Sequence, residues 1–145
     1  MTRGARNVTP EQAAASIFGY TIGNDVTERD MQQSDGQWTR AKGFDTFCPI
    51  GDEAPAPADL STLGVITRVN GQERQRGSAA DMVFAIPMLL AYISRIMTLE
   101  PGDVVATGTP AGVGTLSPGD EVEVELLGPG GRSLSSVRNP VTSHS

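Results

Sequence analysis

Asp25 is the side chain best placed in this sequence to do chemistry. It closes GYTIGND (residues 19–25), a strand-like run, and a polar helix start follows at once. A carboxylate between two rigid elements can face a ligand while its backbone stays fixed. The same position also suits a plainer role, a carboxylate near a helix N-terminus. Lys42, close to Trp38 and Phe44, can serve a negative substrate as a cation, or lay its stem along apolar surface. TGTPAGVGT (107–115) could present backbone N–H groups and the hydroxyls of Thr107 and Thr109 to an oxyanion or carboxylate. It lacks the lysine of a phosphate-binding loop and the G-x-G-x-x-G spacing. A structural turn is an equal reading of it.

Other reactive residue types read plainly. Glu121, Glu123 and Glu125 alternate with Val122, Val124 and Leu126, the pattern of a strand with one solvated face rather than a metal cluster. Cys48 is the only cysteine, which rules out an intramolecular disulfide or a cysteine zinc cluster. Within FDTFCPIG it reads as a small buried hydrophobe. His144 is the single histidine and lies in the C-terminal tail, so a histidine general base is not expected.

The elements that must hold these groups are legible from local chemistry. Thr9-Pro10-Glu11-Gln12 is a capping box with proline at the first helical position, and predicts a helix through 13–16. Residues 17–26 read as a strand buried on both faces, and Thr27-x-x-Asp30 as a second helix start. A polar loop, 33–37, returns to Trp38, and residues 51–62 form a proline-rich acidic connector. Residues 65–69, Asn70-Gly71 and 72–75 predict a hairpin, because a type I′ turn needs φ > 0 at both central residues. Ile86, Leu89, Leu90, Ile93, Ile96 and Met97 recur at helical spacing, with Pro87 tolerable in the first turn. Pro101-Gly102 and Pro118-Gly119 each suit a type II turn. They introduce strands at 104–106 and 121–126, and a last strand lies near 134–137. The sum is one domain over residues 1–145, α+β and mainly β, a roll rather than a βαβ sheet.

Seventeen glycines and ten prolines in 145 residues give a turn-rich globular composition. A net charge of −6 argues against nucleic acid or an anionic membrane as partner. With no 18-residue apolar run and no leader-like start, a soluble, cytoplasmic chain is expected.

Five blocks, in order, carry a family resemblance: GYTIGNDVTERDMQ, QWTRAKGFDTFCPIG, VNGQERQRGSAADMVFAIPMLLAYIS, TLEPGDVVATGTPAGVG and RNPV. From about Val8 to Val141 the chain resembles the fumarylacetoacetate hydrolase family. The resemblance implies a mixed β-sandwich roll with a divalent metal at its mouth, usually Mg²⁺, with Mn²⁺ or Ca²⁺ as alternatives. It implies hydrolysis, isomerisation or decarboxylation of small 2-oxo or 1,3-diketo carboxylic acids, through metal chelation that stabilises a developing enolate. It assigns Asp25 as a metal-ligating carboxylate, Arg29 and Gln32 as polar residues lining the site, and Thr109 as a substrate-contacting hydroxyl. Lys42 would sit near the metal and offset substrate charge, and Thr46 matches a metal-associated position. A homodimer is implied as well.

The sequence also departs from the family. The Glu-x-Glu pair that supplies two metal ligands and the His-Glu pair of the lid both lie upstream in family members, and MTRGARN resembles the end of that segment. The expectation is therefore the C-terminal part of a family enzyme, active once complemented by an N-terminal segment, or else an inactive binding or assembly subunit.

Overall fold

The structure, a computed structural model, describes residues 4–55 and 57–143. His144 and Met1 to Arg3 lie outside the described residues. Four strands, β1 (Gly64–Val69), β2 (Gln72–Ser78), β3 (Glu121–Leu127) and β4 (Ser133–Pro140), form one antiparallel sheet in the order β2-β1-β3-β4. With four α-helices of 11 residues or fewer, the chain has the α+β, mainly β character read from its sequence.

The β1–β2 hairpin forms as its turn chemistry requires, with Asn70 at φ 53° and Gly71 at φ 77°. Asn70 also pins a distant corner. Its amide nitrogen donates to Asp120 Oδ1 at 2.8 Å, and its Oδ1 accepts from the Glu121 backbone N–H at 2.9 Å. One face of the sheet buries Val69, Val122 and Val124, against which Ile22, Leu116, Val137 and Val141 pack. On the other face Arg68 Nη1 donates to Glu123 at 3.1 Å and to Glu125 at 3.0 Å, while Arg138 pairs with Glu121. Hydrogen bonds from Ser133 and then Arg68 hold the Glu125 carboxyl below the usual carboxylate range. The glutamate strand is a half-solvated strand whose carboxylates face arginines.

A second core joins helix α1 (Pro10–Ala14) to helix α4 (Ile86–Ile96), burying Ala5, Ala13, Ile86, Leu90, Ala91 and Leu99. The capping box of α1 is complete: Thr9 Oγ1 accepts from Gln12 N, and Gln12 Oε1 accepts from Thr9 N. Thr9→Ala is expected to cost about 1 kcal/mol. Urea denaturation would check this, and an unchanged midpoint would refute it. The far end of α4 is tied down by residues early in the chain. Arg6 Nη1 donates to the Ser94 and Arg95 carbonyls, both at 2.8 Å, and Asn7 N donates to Ser94 O. These bonds satisfy carbonyls that a helix C-terminus leaves free, with a cation at its negative end.

Four expectations need correction. The buried face of α4 is Ile86, Leu90, Ala91 and Ser94, whereas Ile96 and Met97 are exposed. Small residues let α1 approach there, and Ser94 is satisfied in the core, donating to Ala91 O and accepting from Val8 N. Residues 17–26 form no strand. They pair with residues 49–54 at two isolated bridges, Tyr20↔Ala54 and Gly23↔Ile50, helped by a Thr21 Oγ1 bond to Gly51 O, and Phe18 is exposed. Pro49 and Pro55 flank that partner segment and cannot donate to a ladder. Residues 104–106 also form no strand, having no ladder partner among the described residues. Cys48, finally, is exposed rather than buried, on a loop where both Thr46 (φ 69°) and Cys48 (φ 57°) adopt left-handed backbone.

Tyr20 packs against the helical core, and its hydroxyl is buried without a hydrogen-bond partner among the described residues. Burial raises its pKa above the ordinary 10.0. Ionisation therefore favours the unfolded chain. The stability is fully present below pH 10 and is lost as pH rises through the raised value. Tyr20→Phe is expected to leave stability equal or about 1 kcal/mol higher at neutral pH and to flatten the alkaline loss. Denaturation at neutral pH and above pH 10 would measure both, and a clear loss at neutral pH would mean that the hydroxyl has a partner.

Candidate functional site

Asp25 sits in a tight turn fixed on both sides. Upstream, Gly51 N donates to Ile22 O at 2.8 Å and Asn24 N to Pro49 O at 3.1 Å. Downstream, Thr27 Oγ1 donates to Asp25 O at 3.0 Å and Val26 N to Asn24 O at 2.9 Å. Helix α2 (Arg29–Ser34) follows, one residue later than Thr27-x-x-Asp30 suggested. Its cap is the Glu28 carboxylate, which accepts from Asp30 N and from Met31 N. Glu28 was passed over because serine, threonine, asparagine and aspartate are the usual caps.

Glu28 has a second task. Its backbone N–H donates to Ala41 O at 2.9 Å, tying α2 to the short helix α3 (Thr39–Lys42). Ala41 is fully buried, so the next residue, Lys42, is aimed from a fixed base. The Lys42 ammonium donates to Asp25 Oδ2 and stands 5.9 Å from the centre of the Trp38 ring, within cation–π range. Residues 17 apart in sequence thus form one charged pair. Both side chains are partly exposed, and Lys42 also lines an open depression with Gly36, Gln37, Trp38 and Thr39.

The remaining expected residues are placed less closely. Arg29 Nη1 donates to Gln32 Oε1 at 2.7 Å on the exposed side of α2. Thr46 follows α3, on the loop where the Phe44 and Phe47 rings meet at 5.3 Å. Thr109 lies on the glycine loop, which rests on β2: Gln75 Nε2 donates to Pro110 O at 2.9 Å. Among the described residues no hydrogen bond joins Thr46 or Thr109 to the Asp25–Lys42 pair.

A hard divalent cation needs several oxygen ligands. Asp25 offers one carboxylate and Thr46 one hydroxyl, and the Lys42 ammonium has no lone pair to give. Among the described residues no three of His, Cys, Asp or Glu converge. These side chains alone do not fit Mg²⁺, Mn²⁺ or Ca²⁺. What they offer is an exposed cation, oriented by a carboxylate and an indole, beside polar groups.

The family described as fumarylacetoacetate hydrolase, C-terminal, matches residues 1–142. Protein Rv2993c of Mycobacterium tuberculosis is 49% identical over 142 residues, covering 96% of this chain and 52% of that protein. The oxaloacetate tautomerase YisK of Bacillus subtilis is 42% identical over 134 residues, covering 86% of this chain and 44% of that protein. The crystal structure of 5-carboxymethyl-2-hydroxymuconate delta-isomerase from Mycobacterium smegmatis superposes with a TM-score of 0.91 at 44% identity. It covers 100% of this chain and 56% of that one. The chain spans about half the length of the curated relatives it matches. Among the described residues no helix is long and apolar enough to cross a membrane.

Proposed function

The chain belongs to the fumarylacetoacetate hydrolase family, and on that premise we propose that it supplies the Lys42 side of a site that isomerises, decarboxylates or hydrolyses small 2-oxo or 1,3-diketo carboxylic acids. Oxaloacetate is the first substrate to try, because a relative that is 42% identical is an oxaloacetate tautomerase. The observation that carries the reading is the Asp25–Lys42 pair beside Trp38. Lys42 meets the negative charge of the substrate, Asp25 and the indole keep the ammonium in place, and Arg29, Gln32 and Thr109 hydrogen-bond the outer carboxylate. Toward the family's divalent metal this chain would offer one carboxylate, Asp25, and one hydroxyl, Thr46. The sheet and the bridged 17–26 segment then belong to a larger β-sandwich roll.

A second reading, an inactive binding or assembly module, is favoured by the single carboxylate at the site. Calorimetric titration of oxalate, an enolate mimic, in the presence of Mg²⁺ decides between the two. In a protein that carries this segment within the family's full length, the first reading expects submillimolar, Mg²⁺-dependent binding that Asp25→Ala abolishes. Binding at millimolar or weaker levels, indifferent to Asp25, would sink it and support the second.

A further inference from the structure

Residues 104–109, VVATGT, carry the side chains of a strand without its partner. A strand meets its backbone hydrogen-bonding needs in a ladder, and without one leaves them to water. No backbone–backbone hydrogen bond is made by residues 104–116 among the described residues, and none of any kind by 104–109. The stretch is anchored all the same. Val105 packs against the helical core, while Val104 is 65% exposed and Ala106, Thr107 and Thr109 are exposed. Gly108, at φ +122°, turns the backbone away, so the edge to which an extended strand adds is the anchored, outward-open backbone of 104–107 with its β-branched residues.

We propose that residues 104–107 are the acceptor edge for a β-strand supplied by polypeptide equivalent to the part of the relatives that lies beyond the match. The length relation argues for this occupant. A structure that superposes on all of this chain is nearly twice as long, with 56% of it covered. A second copy of this chain is the poorer occupant, because each copy carries a net charge of −6 and repels the other. The docking strand is expected to be apolar at alternate positions, since Val104 is the side chain left to cover. The inference concerns assembly and stands apart from the reaction assigned above.

Hydrogen exchange tests it, with the chain alone and with the unmatched portion of Mycobacterium tuberculosis protein Rv2993c added as a separate polypeptide. Alone, the amides of 104–107 should exchange nearly unprotected. With the added polypeptide they should slow on the order of 100-fold. Val104→Pro, which removes an exposed donor from the ladder, should abolish both this protection and co-elution of the two polypeptides. The exchange footprint on the unsubstituted chain keeps the test valid should that variant fold poorly. The proposal is overturned if no complex forms, or if a complex leaves 104–107 unprotected. Concentration-dependent protection in the chain alone would identify a second copy as the occupant and overturn it equally.

Discussion

Lys42→Ala, in an active protein carrying this segment, is expected to lower kcat/KM on the order of 100-fold, the worth of a hydrogen bond to a charged group. The ammonium is the one cation that the structure holds against Asp25 and over Trp38. Its loss therefore removes both the charge and its orientation. Stability should hardly change, because both partners are partly exposed and a surface pair contributes little. Glu123→Ala is the matched control, since Arg68 keeps its bond to Glu125 at 3.0 Å. Steady-state kinetics with thermal midpoints separate the two roles. A loss under threefold for Lys42→Ala, or a large loss for Glu123→Ala, would move the site to another strand.

Gly112→Val is expected to be the most damaging single change to the fold, by on the order of 3–4 kcal/mol. An added Cβ would lie 2.1 Å from the Arg74 carbonyl oxygen, a backbone atom that cannot swing away, and φ is +102°. The glycine loop rests on β2 at this point, with Pro110 against Gly77 and bonded by Gln75. The strain therefore reaches the strand edge as well as the loop. Gly114→Val is the contrast, because its added Cβ meets nothing within 4 Å and its φ is not positive. Urea denaturation of the pair would show the difference, and equal midpoints would mean that the loop does not pack on β2.

Features fixed within four or five residues were legible in advance. The Thr9 capping box, the Asn70-Gly71 turn, the Pro-Gly turns and the alternation of β3 each depend on bonds or contacts to near neighbours. What depended on distant partners was not. The strand chemistry of 17–26 and 104–106 had no means of announcing that its ladder would be two bridges in one case and absent in the other. The buried face of α4 was misplaced because a counting rule favours Ile96 and Met97, whereas close helix approach selects Ala91 and Ser94. Cys48 was misjudged on residue type. Its exposure follows from a left-handed turn that no pattern marks. The family resemblance puts Asp25 and Lys42 near one site, but nothing in T-E-R-D marks Glu28 as the residue that ties α2 to α3.

The tie between Arg6 and the end of α4 sets an order of events on the ribosome. Ala13 and Ala5 find their core only when Leu90, Ala91 and Leu99 have emerged, and Arg6 waits for the carbonyls of Ser94 and Arg95. At about 5–20 residues per second that wait lasts roughly 4–18 s. Through it the first helix has little to hold it, since five residues cannot sustain a helix unaided. The β1–β2 hairpin, whose register closes within 15 residues, is complete well before. Nascent chains should therefore form the β1–β2 hairpin before α1 is held, and residues 5–14 should be the longer exposed to chaperones and proteases.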